Sequence, residues 1–137
     1  MKIFDIDINE DAVKNKQPLV LAMIGDSVQT LFVRTFIAEK FGVKVNKMNK
    51  MVSSVVSAGA QFNTFKKIED SLSEEEQDIA RRARNAHIHT KAKNFSYTEY
   101  IYATALEALI GFLFLTNKHE RLNEILEVSV QELKLEK

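Results

Sequence analysis

The sequence predicts an all-α domain of five or six helices packed as a bundle. Three observations carry that prediction. A long apolar stretch, Leu19 to Phe41, has a helix start signal in Pro18 and a stop signal in Gly42. Two capping boxes, Ser73 with Glu76 and Ser96 with Glu99, each open a helical pattern. No stretch reads convincingly as a strand, repeat, linker or low-complexity segment. At 137 residues the chain is expected to form a single domain, residues 1–137, with a real core.

In chain order, residues 1–17 read as a short polar lead-in with a helical turn near Glu10 to Val13. In the long helix that follows, Leu21, Ile24, Val28, Leu31 and Phe32 recur at helical spacing, with Phe36 on a flank. Asn46 is the expected cap of the next helix, with Val45 as its staple, and the helical pattern runs on to Leu72. Gly59 is where that stretch is expected to kink or divide. Ser73 opens the helix EEEQDIARRARNA, and HIHTKAKNF after it has no periodicity and reads as loop. Ser96 opens a helix apolar on nearly every side, which is expected to be central and buried. The chain closes on an amphipathic helix through Leu122, Ile125, Leu126, Val130 and Leu133.

Composition narrows the class. A hydrophobic content of 45% with 28% charged residues is the balance of an ordinary soluble globular protein. With no cysteine there is no disulfide framework and no thiolate metal site, which fits a reducing cytosol. The N-terminus, MKIFDIDINED, is acidic and lacks an apolar core of signal-peptide length. The longest apolar run, around Leu109 to Leu115, is broken by Gly111 and is too short to span a bilayer. The expectation is a cytoplasmic protein with no membrane partner.

Two carboxylates stand out. Gly25 and Asp26 interrupt the long helix, where glycine costs about 1 kcal/mol against alanine and aspartate roughly 0.5–0.7 more. Either the helix breaks there and Asp26 caps a second one with Gln29 as its box partner, or a single helix aims Asp26 into a cleft. In a single helix Ala22, Asp26 and Thr30 stack on one stripe. The buried helix repeats the pattern: Ala103, Glu107 and Gly111 stack, again a carboxylate among small residues. If the stripes face each other, Asp26 and Glu107 meet. Burying an unpaired carboxylate costs several kcal/mol, so the pair needs a cation, a hydrogen-bond network or a proton. Oxygen ligands completed by water suit magnesium; the competing reading is a protonated carboxyl hydrogen-bonded to Thr104 or Thr30.

The net charge of zero conceals blocks of one sign. Arg34, Lys40, Lys44, Lys47 and Lys50 face only Glu39 in their stretch, and Arg81, Arg82, Arg84, Lys91 and Lys93 stand with no acid between them. One basic face on a neutral protein is enough for a polyanion, although a solvated surface explains any single block. His87 and His89 make a poor metal site, since only His119 and scattered acids remain to complete it.

Against these readings, LAMIGDSVQTLFVR resembles the signature helix of the ribonuclease III family, and ATALEALIGFLFL resembles that family's second acidic motif. The short length, the SAGAQ stretch (Ser57 to Gln61) and RRARNA (Arg81 to Ala86) are similar to the Mini-ribonuclease III branch, which has the catalytic domain and no double-stranded-RNA-binding domain. The resemblance covers nearly the whole chain from about Leu19. It implies a dimeric ribonuclease III-like endonuclease domain with Asp26 and Glu107 as catalytic metal ligands. It also implies magnesium-dependent hydrolysis of double-stranded RNA to 5′-phosphate and 3′-hydroxyl ends, with precursor 23S ribosomal RNA as substrate. The larger enzymes carry two further acids, where this chain has Ala22 and Thr104, so water and RNA phosphate must fill most metal positions.

Double-stranded RNA is read mainly through phosphates and 2′-hydroxyls. The expected contacts are Arg81, Arg84, Asn85, Lys91, Lys93, Lys47 and Lys50, with Arg84 and Asn85 favoured and Arg82 pointing elsewhere on its helix. A homodimer is expected because one chain offers one acid pair and cutting both strands calls for two; Leu19, Val20, Met23, Val33 and Ile37, off the main stripe, are the candidates for its interface. A ribosomal protein that presents the duplex is a further expected partner. Two other classes compete: a non-catalytic RNA- or ribosome-binding scaffold of the same fold, and a metal-binding bundle acting on a small phosphorylated molecule. A magnesium-dependent nuclease assay separates them.

Overall fold

The computed structural model describes residues 1–86 and 95–134. Its helices are α1 (Glu10–Lys14), α2 (Pro18–Lys40), α3 (Val45–Val56), α4 (Ala58–Ile68), α5 (Glu74–Asn85), α6 (Phe95–Leu115) and α7 (His119–Val130), with a 3-10 turn at Glu69–Ser71. The described residues include no strand. The count exceeds the five or six expected because the lead-in turn is a helix, capped by Asn9, and because the second long stretch divides.

The division falls at Ser57, two residues before the glycine expected to cause it. Ser57 is extended (ψ 155°) and its hydroxyl accepts from the Ala60 N–H, so one residue ends α3 and caps α4. Gly59 lies inside α4, where an added Cβ would stand 3.3 Å from a Glu99 carboxylate oxygen. Asn46 is not a cap: α3 starts at Val45 after an extended Lys44, and Val45 is exposed. The Ser73–Glu76 box forms as expected, with reciprocal 3.1 Å bonds. Ser96, by contrast, stands inside α6 rather than at its cap.

α2 does not break at Gly25. Pro18 opens it and Gly42, at φ 59°, closes it, with the Phe41 and Gly42 N–H groups both donating to the Ile37 carbonyl. The capping role for Asp26 is therefore overturned; the aspartate is mid-helix.

α6 is the central helix, enclosed by α2, α4 and α5, with α7 packed across it. Phe65, Ile79, Leu106, Leu109, Ile110, Phe112 and Ile125 fill the main core around it. By length and composition α2 and Tyr97–Leu115 of α6 are apolar enough to cross a membrane. For α6 that hydropathy is spent inside the bundle, where Ala105 to Ile110, Glu107 excepted, are buried. A second, smaller cluster joins Val33 and Ile37 of α2 to Met51, Val52 and Val55 of α3 and Val130 of α7. Val33 and Ile37 are thus core residues and cannot serve a partner surface. Conversely Leu31, assigned to the buried stripe, is 60% exposed, because the stripe facing α6 is Leu21, Ala22, Gly25 and Gln29.

Ion pairs lock the ends onto this frame. Arg121 of α7 donates to both Glu76 oxygens and to the Ser71 hydroxyl. Lys118 bonds Glu10 and Glu75, and Lys14 bonds Glu75. Burial pushes the Glu75 carboxyl up, but the hydrogen bonds from Lys118 and Lys14 outweigh it and hold it down at about 2.

Candidate active site

The site begins with two glycines. A Cβ placed on Gly25 would lie 1.7 Å from the Glu107 carbonyl oxygen, and one on Gly111 would lie 2.0 Å from the Leu21 carbonyl oxygen. Leu21 precedes Gly25 by one turn and Glu107 precedes Gly111 by one turn, so α2 and α6 cross main chain against main chain. No side chain fits in that gap. This is the tertiary reason for a glycine in the middle of an otherwise sound helix.

The crossing brings the two acids together. Asp26 follows Gly25 on the exposed edge of α2, and Glu107 stands half-buried on α6. They stand close enough for the Asp26 charge to act on the Glu107 carboxyl. Burial first, then the neighbouring Asp26 charge, pushes the Glu107 carboxyl from 4.5 up to about 7, while a Gln61 amide pulls it the other way.

That amide belongs to a network which sequence reasoning missed. Gln61 Nε2 donates to Gln29 Oε1 at 2.8 Å and to Glu107 Oε2 at 3.4 Å. Gln29 is wholly buried on the stripe facing α6, not a capping partner, and its own Nε2 is buried without a partner among the described residues. Such an orphaned donor costs about 1–3 kcal/mol. The available signals were a glutamine on the buried register of α2 and another inside SAGAQ. Thr104, one of the hydroxyls expected to satisfy Glu107, donates back to the Tyr100 carbonyl at 3.1 Å.

Magnesium fits what is present. Two neighbouring carboxylates are unfavourable as two anions, and that repulsion adds to burial in holding the Glu107 carboxyl up. The donor set is oxygen, one acid is reachable from solvent, and Ala22 adds no ligand. Among the described residues no group of three or more His, Asp or Glu side chains is placed to hold a metal, so any ion here relies on this pair and on water.

The basic residues separate on contact. The Arg84 guanidinium lies 5.2 Å from the Tyr102 ring centre, and Lys66, 4.4 Å from the same ring, joins it there unforeseen. Asn85 is exposed beside Arg84. Arg81 pairs with Asp78 on its own helix. Arg82 donates to the Lys14 carbonyl at 2.8 Å and the Lys16 carbonyl at 3.5 Å, so it anchors the lead-in, as its different side of the helix predicts. Lys47 and Lys50 line another cleft, with Glu132 and Lys134. Lys91, Lys93, His87 and His89 lie outside the described residues.

Comparison with known proteins places this fold in a family. The profile of the ribonuclease III domain matches residues 19–118. The Mini-ribonuclease 3 of Thermoanaerobacter sp. (strain X514) is 45% identical over 124 residues, covering 90% of this chain and 87% of the relative. That of Staphylococcus aureus is 41% identical over 119 residues, covering 85% and 89%. A crystal structure of a Fusobacterium nucleatum protein superposes with a TM-score of 0.75 at 33% identity, over 87% of this chain and 95% of that one.

Proposed function

Because the chain belongs to the ribonuclease III family, in its Mini-ribonuclease III branch, we propose that it is a magnesium-dependent endoribonuclease cleaving double-stranded RNA, with Asp26 and Glu107 as its metal ligands. The observation that carries the reading is the contact between those two acids at the glycine crossing. The retained pair also argues against a scaffold of the same fold without activity.

In this reading the residues at the crossing and on α5 divide the work. Asp26, on the exposed edge, meets the backbone of the duplex first. Glu107 lies deeper, held by Gln61, and gives up its proton when a cation takes the pair. Magnesium bound there supplies the Lewis acidity that polarises the phosphate and makes water a nucleophile near neutral pH. Arg84 binds phosphate from its place over Tyr102, with Asn85 beside it. The products are 5′-phosphate and 3′-hydroxyl ends.

The active species is a homodimer, since two acid pairs are needed for two strands. Support comes from α2, whose outer face carries Leu19, Val20, Met23 and Leu31, with Met23 75% exposed. The substrate is precursor 23S ribosomal RNA in the cytoplasm, presented with the help of a ribosomal protein, because phosphate contacts from so small a surface give modest affinity.

The deciding experiment is a nuclease assay on a plain RNA duplex with and without magnesium, using wild type, Asp26→Asn and Glu107→Gln. Both variants are expected to lose cleavage while keeping helical content and duplex binding. Near-normal turnover by either at millimolar magnesium would sink the assignment.

A further inference from the structure

Gln61 spends both amide hydrogens, one on Gln29 Oε1 and one on Glu107 Oε2. Once Glu107 is ionised, as a metal ligand has to be, turning that amide over would set its oxygen against a carboxylate oxygen, so the carboxylate dictates its direction. Gln29 follows: its oxygen then faces Gln61, and its nitrogen is left buried and without a partner among the described residues. Gln29 is 0% exposed and Gln61 3%. A site that only needed filling would be served better by two apolar side chains, which leave nothing unsatisfied. The arrangement has one polar destination, the Glu107 carboxylate.

We propose that Gln61 is a positioning residue for Glu107, with Gln29 as the strut that orients it, so that one carboxylate oxygen is held by the protein and the other is left to a divalent cation. Neither glutamine touches substrate. The inference rests on the reading of Glu107 as a metal ligand. It also accounts for how a centre with Ala22 and Thr104 in place of two acids keeps its remaining glutamate oriented: amides do what neighbouring ligands on a shared ion would otherwise do.

The test uses the full chain with Gln61→Met and Gln29→Met, which keep length and remove hydrogen bonding. Manganese binding to the RNA-free protein is followed by electron paramagnetic resonance, alongside kcat, KM on a duplex, and Tm. Gln61→Met is expected to weaken manganese binding about 10–100-fold and to lower kcat by a similar factor, with KM for RNA within about twofold. Gln29→Met, which reaches Glu107 only through Gln61, is expected to lose less in the same direction, with Tm near that of wild type, because the orphaned Gln29 nitrogen is gone and one Gln61 N–H is orphaned in its place. Should Gln61→Met fail to fold, Gln29→Met decides alone. Manganese affinity within twofold of wild type, or losses that merely track a fall in Tm, would overturn the proposal. Glu107→Gln separates it from its premise. If that variant loses manganese while the glutamine variants do not, only the positioning role falls; if it binds manganese as wild type does, both fall.

Discussion

Replacing Glu107 by glutamine should stabilise the metal-free protein, and only above a definite pH. Burial and the Asp26 charge raise the Glu107 carboxyl from 4.5 to about 7. A carboxyl raised on folding binds more protons in the native state than in the unfolded state between those values. Stability therefore falls as pH climbs from about 4.5 to about 7 and is level above that. At 1.36 kcal/mol per unit, the penalty at pH 8 is roughly 3 kcal/mol. Glutamine removes the charge and keeps an oxygen for the Gln61 amide to bond. In EDTA at pH 8, Glu107→Gln is expected to gain up to about 3 kcal/mol, or on the order of 10 °C in Tm for a chain of this size. At pH 4.5 the gain should nearly vanish, since wild-type Glu107 is then protonated. Glu75, whose contribution is lost as pH falls from 4.5 towards about 2, is common to both proteins and cancels. Thermal melts of the pair across that range are the assay. A variant less stable than wild type at pH 8, or a difference that ignores pH, would refute the electrostatic reasoning and make Glu107 a structural hydrogen-bonding residue.

Three further outcomes follow from the geometry. Gly25→Ala and Gly111→Ala should each fail to fold or lose several kcal/mol, because the new methyl meets main-chain oxygen at 1.7 Å and 2.0 Å; circular dichroism melts near those of wild type would contradict the crossing. Arg84→Ala should reduce the magnitude of the log–log salt slope for duplex binding by about one unit, by analogy with counterion release from DNA, whereas Arg82→Ala should leave the slope and lower stability by about 1–3 kcal/mol through the freed Lys14 carbonyl; equal slopes would reduce the basic block to a diffuse field. Met23→Glu with Leu31→Lys, both at exposed positions, should give a folded monomer by light scattering with duplex cutting lost; an unchanged dimer would place the interface elsewhere.

Much of the fold was readable because the signals are local. Pro18, Gly42 and the Ser73–Glu76 box act within a few residues, and the structure uses each of them as written. Asp26 and Glu107 were expected to meet if their small-residue stripes faced each other; the stripe against α6 is instead Leu21, Ala22, Gly25 and Gln29, and Asp26 comes near Glu107 from its exposed edge. What failed depends on which of several apolar faces of α2 has a neighbour. Leu31 and Val33 are equivalent as sequence, yet one is exposed and the other fully buried, because α3 and α7 arrive on only one side. Gln29 was harder still. Its spacing from Asp26 fits a cap, and only contact with α4, 32 residues away at Gln61, reveals its partner.

The main-chain crossing at Gly25 and Gly111 bears on how this centre can be re-engineered. One acid sits next to one crossing glycine, and the other sits a single turn from the second. The separation of the acids is thus inherited from two backbones in contact rather than tuned by the side chains around them. Repacking Leu106, Leu109, Ile110 and Phe112, with Glu107 and Gly111 kept, could alter melting behaviour while leaving the spacing of the ligands alone. The converse also holds. A variant with a different appetite for ions will not come from loosening or tightening the apolar interior; it has to come from changing which atoms stand at Ala22, Asp26, Thr104 and Glu107, or at the Gln61–Gln29 pair behind Glu107.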